Sequence, residues 1–332
     1  MNDIITLDYG SGGKKTAKLI EELILPKLDN PALRALGDGA VVPGGEELAF
    51  STDSFVVDPL FFPGGNIGKL AVCGTVNDLS MCGAEPKYLS CALILEEGLE
   101  LSVLEAVLQA MSEAAEKAGV RIVTGDTKVV EKGRGDKLYI NTAGIGVMRH
   151  PLPGLAAVQP GDAVLVSGTM GDHGTTVMLA RSGMMEGTLQ SDCAALNRLT
   201  EAMLSSGAEV RILRDPTRGG LATTLNEFTE RQRFGITLEE ESIPVRPEVQ
   251  AACGMLGLDP LYCANEGKLI AICAAEDAEM LLRCMRELPE GKDAARIGTV
   301  TAEAAGKTVL CTALGGHRIL QKLAGAQLPR IC

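Results

Sequence analysis

The sequence predicts a mixed α/β protein of two domains, each built on its own sheet. Three observations lead there. The chain has 332 residues, about twice the ~150 residues of a common domain. Strand-like apolar runs and runs with a helical period interleave in both halves, without the regular βα alternation of a TIM barrel. Between the halves, RHPLPGLAAVQPGD (149–162) gathers three Pro and two Gly, the composition of a linker. The expected divisions are a domain over 1–150, a second over 160–323, and a tail over 324–332.

The elements follow in order. ELAFSTDSFVV (47–57) is β-rich and closes at Asp58-Pro59. NIGKLAVCGTVNDLSMCGA (66–84) carries a helical period, and PKYLSCALILEE reads as the next strand. LSVLEAVLQAMSEAAEKAG (101–119) is the clearest helix, apolar at 101, 104, 107, 108, 111 and 115, with Gly119 as its stop. RIVTGDTKVV and KLYINTAGIGVM read as strands. After the linker, DAVLVSG is a buried-strand run followed by the Gly-led GDHGTTVMLARSG. Helices are predicted over 193–206, 219–233, 247–256 and 276–288, and strands over 268–274, 294–302 and 307–313. GAQLPRIC, at the end, has too little apolar periodicity to fold alone.

Composition narrows the function. Apolar residues make up 46% and charged residues 22%, which excludes a disordered chain that could not bury enough apolar surface. No apolar run reaches the ~18 residues a membrane-spanning helix needs. The opening MNDIITLDYG has no basic segment and no apolar core of a signal peptide, so a cytoplasmic location is expected. The net charge is −12 with no Lys/Arg stripe, which argues against a nucleic-acid partner. Ten Cys include no CxxC pair and none at metal-ligand spacing from the three His. Most sit in apolar runs, where free Cys acts as a small buried hydrophobe. Cys332 differs: it is the last residue, where burial is least expected.

Two features could carry chemistry. Gly10-Ser11-Gly12-Gly13 followed by Lys14 and Lys15 offers backbone N–H groups and positive charge to a phosphate, although it fails the GxxxxGK[ST] pattern. As a segment it reads equally as an anion loop or a chain terminus. Acidic residues also recur at the ends of apolar runs: Asp38, Asp53, Asp78, Asp126 and Asp215. One such Asp is usually a turn or cap; five beside Gly, Thr or Asn suit Mg²⁺ shared with substrate phosphates. Glu266 in ANEGKL and Lys128 in GDTKVV are the polar candidates for a base, with a strand-edge carboxylate and a surface lysine as their ordinary alternatives. His173 and His317 read as structural or surface residues.

GSGGK, GDGA, STDS, NIGKLAVCGTVNDLS, VTGDTKVV, RDPTRGG, ANEGKL and terminal PRIC occur in one order from residue 7 to 332. The set resembles the HypE family of hydrogenase maturation factors, within the aminoimidazole ribonucleotide synthetase-like superfamily that includes selenophosphate synthetase. The resemblance implies two α/β domains, the first pairing its sheet with that of a second copy in a shared barrel, with ATP near that interface. It implies that Gly10, Ser11, Gly12 and Gly13 close over the phosphates, with Asn77, Asp126 and Asp215 in the nucleotide site. Asp38, Asp53, Asp78 and Asp126 would hold or position Mg²⁺. The implied activity is ATP-dependent dehydration of a carbamoyl group on Cys332 to a thiocyanate, with Glu266 or Lys128 as the base. The cyanide would go to the iron of [NiFe]-hydrogenase. The implied partners are the carbamoyltransferase HypF as donor and the HypC–HypD iron scaffold as acceptor.

Residues 326–332, extended, span roughly 20 Å at ~3.3 Å each, enough to carry the thiol between a donor and ATP. A selenophosphate synthetase is the neighbouring alternative, but such enzymes usually hold a Cys or selenocysteine in the N-terminal Gly loop, and this loop has none. A carrier that only presents Cys332 is the non-enzymatic alternative.

Overall fold

A computed structural model describes residues 4–6, 19–30, 47–184, 188–230 and 232–322. The first half holds a four-stranded sheet. Its strands are β1 (Leu48–Phe55), β2 (Ala84–Glu96), β3 (Arg121–Val130) and β4 (Leu138–Met148), in the order β1-β4-β2-β3. Only β2 and β3 pair in parallel, because helix α2 (Leu101–Ala118) supplies the crossover. Helix α1 (Ile67–Met81) lies on the same face of the sheet and is buried along nearly its whole length. The side chain of Asn66 caps it, accepting from the N–H groups of Gly68 (2.9 Å) and Lys69 (3.1 Å). Gly119 ends α2 at φ +73°, a left-handed turn that L side chains rarely adopt.

The other face of this sheet is open. Phe50 is 70% exposed with Leu48 exposed beside it, and Ile94 is exposed farther along the same face on β2.

The second half is built on a seven-stranded sheet. Its strands are β5 (Ala163–Val166), β6 (Val210–Arg214), β7 (Gly235–Glu239), β8 (Ile270–Cys273), β9 (Ala295–Thr301), β10 (Thr308–Cys311) and β11 (His317–Leu320). The order is β11-β10-β7-β9-β5-β8-β6. Among the described residues, five α-helices belong to this half: α3 (Asp172–Ser182), α4 (Asn197–Leu204), α5 (Gly220–Thr229), α6 (Pro247–Leu256) and α7 (Ala278–Arg286). One face of the sheet packs on α5 through Leu221, Leu225 and Phe228. The opposite face packs on α4 and α7 through Leu199, Met203, Leu282 and Met285. Strands β5 and β8 are therefore buried on both faces and read as unbroken apolar runs rather than alternations.

The halves share core. Val177 and Cys193 join the cluster under the first sheet, and Met81 joins a cluster under the second.

The α/β expectation holds, and the predicted helix over 247–256 has the observed bounds. Three strands, β6, β7 and β11, lie outside the expected elements: unlike the equally short apolar runs of β5 and β8, VRILR, GITLE and HRIL mix charged or polar residues with apolar ones and show neither a continuous run nor a period. The helix predicted from 193 begins at Asn197, since the preceding residues are taken up in contacts with residue 266 and α1. Buried cysteines are the rule but not without exception: Cys82 is exposed, and Cys284 and Cys311 are half-buried. Among the described residues, no helix is long and apolar enough to cross a membrane.

Candidate functional site

A cleft of about 400 Å³ opens where the two halves meet, around the edge strand β1. Four carboxylates line it: Asp53, Asp78, Asp215 and Glu266. Asp53 comes from β1 and Asp78 from the last turn of α1. Asp215 follows β6, and Glu266 precedes β8. Residues far apart in the chain thus converge because α1 packs on β1 and the loops of the second sheet end at the same seam.

Each group is held. The Ser54 N–H donates to Asp53 Oδ1 at 2.8 Å, and Ser51 Oγ donates to Asp78 Oδ2 at 2.6 Å. Asn141 Nδ2 donates to the Asp53 carbonyl at 3.0 Å, fixing the strand beneath the acid. Arg218 Nη2 stands 3.8 Å from Asp53 Oδ1 and is 82% exposed, so it reaches into the mouth of the cleft from solvent.

The electrostatics are those of crowded acids. Burial, then Asp78, push the Asp215 carboxyl up to about 7. Burial, then Asp215, Asp192 and Asp53, hold Glu266 well above the usual carboxylate range. Burial raises Asp53 as well, with Ser54 and Arg218 acting in the opposite direction. A cation or a set of donors placed here would relieve that repulsion.

Three predicted site residues go elsewhere. Asp126 and Lys128 lie on β3, at the opposite edge of the sheet, three strand spacings or roughly 14 Å from β1. They also take the other face. Asp126 pairs through Ala92 and Asn141 with Ser54, and β alternation turns that row to the open side, away from Asp53 and Asp78. There they pair with each other at 2.8 Å, both about 60% exposed. A single chain therefore does not assemble the metal set with Asp126 in it. Asn77 turns away from the cleft, its amide fully engaged by backbone of the second half. Gly10, Ser11, Gly12, Gly13, Asp38 and Cys332 lie outside the described residues.

Glu266 is buried rather than a solvated strand-edge acid. The next residue, Gly267, opens no space for substrate: a Cβ there would meet the Asp192 carbonyl oxygen at 1.8 Å. His173 is fully buried and driven down to about 4 by that burial, so it stays neutral; its Nδ1 meets Ser191 Oγ at 2.8 Å. Sequence reasoning missed Arg218, Thr217 and Asn141 in the cleft. The first two stand inside RDPTRGG, where proximity to Asp215 was the available signal. Among the described residues no three metal-ligating side chains converge on one point.

A two-layer first half whose sheet is open on one face, joined at an acidic seam to a larger second sheet, defines an AIR synthase related protein. That family's N-terminal domain matches residues 36–148 and its C-terminal domain residues 159–311. The carbamoyl dehydratase HypE of Cupriavidus necator is 51% identical over 99% of this chain and 95% of its own. A crystal structure of the hydrogenase maturation protein HypE in complex with ATP is 53% identical, with TM-score 0.94, covering 98% of this chain and 99% of that one. A HypE–HypF complex aligns with TM-score 0.80 at 45% identity, over 92% of this chain and 99% of that one. The chain belongs to the HypE family.

Proposed function

We propose that this protein is an ATP-dependent carbamoyl dehydratase acting on its own C-terminal cysteine, in the cytoplasm, during hydrogenase maturation. The observation that carries the reading is the cleft in which Asp53, Asp78, Asp215 and a buried Glu266 face one another. The ATP-bound relative supports the nucleotide.

The overall conversion is Cys332–S–C(=O)–NH₂ plus ATP to Cys332–S–C≡N plus ADP and phosphate. The carbamoyl oxygen is a poor leaving group. Transfer of the terminal phosphoryl group to it, while nitrogen gives up one proton, forms a C–O–P linkage and a C=N bond. The C–O bond then breaks, phosphate leaves with the bonding pair, and nitrogen loses its second proton to form the nitrile. Glu266 takes the nitrogen's proton in this reading, supported by its position in the cleft wall, and its raised proton affinity suits a base once it is ionised.

Asp53 and Asp78 fit Mg²⁺, which is usually held by one or two carboxylates with water and phosphate oxygens completing the shell. When bound, the ion neutralises phosphate charge. Asp215 closes the cleft from the second half, Asp38 adds to the metal set, and Gly10–Gly13 cover the phosphates.

Asp126 and Lys128 enter the reading through a homodimer. They project from the open sheet face, which carries Phe50 and Ile94 and leaves apolar surface for a second copy to cover. Pairing two such faces into a barrel would deliver both residues to the partner's cleft, where Lys128 competes with Glu266 for the role of base. HypF as carbamoyl donor follows the relative found in complex with it, and the HypC–HypD scaffold is the acceptor of the cyanide.

Intact-protein mass spectrometry tests the chemistry. With a carbamoyl donor system and ATP, Glu266→Gln should accumulate the carbamoylated form, since loss of a general base costs ~10²–10⁴ in rate. Conversion to the cyano form at the normal rate, with Lys128→Ala blocked instead, would assign the proton to Lys128.

A further inference from the structure

Asn77 is adjacent to Asp78, yet a helix turns about 100° per residue, and the two side chains serve different partners. Asn77 is 1% exposed. Its Nδ2 donates to the carbonyl oxygens of Ala194 (3.1 Å) and Glu266 (3.4 Å), and its Oδ1 accepts from the Leu196 N–H at 2.8 Å. All three contacts cross from the first half to the second. On the other side of the same residue, the Glu266 N–H donates to Asp192 Oδ1 at 3.0 Å. The Glu266 N–H is thereby held by a side chain, and its carbonyl oxygen is shared between Asn77 Nδ2 and the Ala194 N–H, each at 3.4 Å. The missing Cβ of Gly267 lets the chain at Asp192–Ala194 lie directly against it.

We propose that Asn77 and Asp192 are positioning residues that clamp the backbone of Glu266, so that α1 sets the reach of that carboxylate across the cleft and Asn77 is not a nucleotide ligand. The proposal rests on Glu266 as the base. A base must come within about 2.6–3.2 Å of its proton, and Glu266 stands in a loop that needs such anchors. Asp53 and Asp78 face it from the other half of the chain, so a contact across the seam is what fixes their separation from Glu266. Asn77 supplies that contact from the same helical turn that carries Asp78.

The experiment compares Asn77→Asp, Asn77→Ala and Asp192→Ala in the full-length protein. Asn77→Asp keeps the shape and turns a donor into an oxygen facing two carbonyl oxygens. Hydrogen exchange is read at the Glu266 and Leu196 amides, Mg-ATP affinity by calorimetry, and conversion of carbamoyl to cyano in a single turnover. Exchange should quicken at Glu266 in Asp192→Ala and at Leu196 in the Asn77 variants. Conversion should slow by roughly ten- to a hundred-fold, the scale of a 1 Å misplacement, with ATP affinity unchanged. Added to Glu266→Gln, the same substitutions should slow conversion no further. Unchanged exchange overturns the clamp, and loosened exchange with normal conversion overturns its catalytic role. Loss of ATP affinity in the Asn77 variants would return Asn77 to the nucleotide site. Losses that multiply with Glu266→Gln would show action through some other group. Glu266→Gln at full rate overturns the base assignment under Proposed function, while the exchange data still judge the clamp. If Asn77→Asp does not fold, Asp192→Ala carries the test from the opposite side of the residue.

Discussion

Asp215→Asn should stabilise the ligand-free protein above neutral pH. Asp215 is buried, and burial together with Asp78 raises its carboxyl from 3.8 to about 7. A carboxyl raised in the folded state binds its proton there while the unfolded chain has already released it. Stability is therefore lost as pH rises from about 4, and the loss is complete above about 7. A difference of roughly three pH units, at about 1.4 kcal/mol each, makes the full penalty about 4 kcal/mol. At roughly 2 °C per kcal/mol for a chain of this size, removing it should raise the melting temperature by up to ~8 °C at pH 8. At pH 5 less than half of that gain should remain. Thermal melts of both proteins at pH 5 and pH 8, with and without Mg-ATP, read the difference directly. Mg-ATP should narrow the gap at pH 8, because a cation in the cleft relieves the wild-type repulsion. A variant that melts below wild type at pH 8, or by the same margin at both pH values, would refute the reasoning.

The other consequences are briefer. Asp53→Asn and Asp78→Asn should each weaken Mg-ATP binding by about ten-fold or more with no loss of melting temperature, since each removes charge from a metal site; calorimetric titration with unchanged affinity in both would make these residues turn or cap acids. Cys332→Ala should keep the melting temperature and ATP binding while abolishing modification, and a large loss of thermal stability would instead make the thiol a packed group. Phe50→Glu, placing charge on the open sheet face, should convert a dimer to monomers by light scattering; a wild-type protein already monomeric at micromolar concentration, with turnover intact, would remove the dimer.

Much of the architecture was legible from local pattern. The α2 helix showed its apolar period and its Gly119 stop, and β5 and β8 showed as continuous apolar runs because both their faces are covered. The acids Asp53, Asp78 and Asp215 could be named as a set because each stands beside turn residues at the end of an apolar run, and they do meet in one cleft. What a linear pattern does not encode is which way a side chain turns once elements pack. In a strand, one step of register exchanges the faces, and that parity sent Asp126 and Lys128 to the open side of the sheet. In α1, about 100° separates Asp78, aimed at the cleft, from Asn77, aimed at the backbone of the second half. Asp192 carried no signal at all in QSDCAA, because its importance comes from lying beside Glu266, 74 residues later. Composition and periodicity report what each element can bury; the direction of a polar side chain depends on which neighbour arrives, and that is fixed only when distant segments pack together.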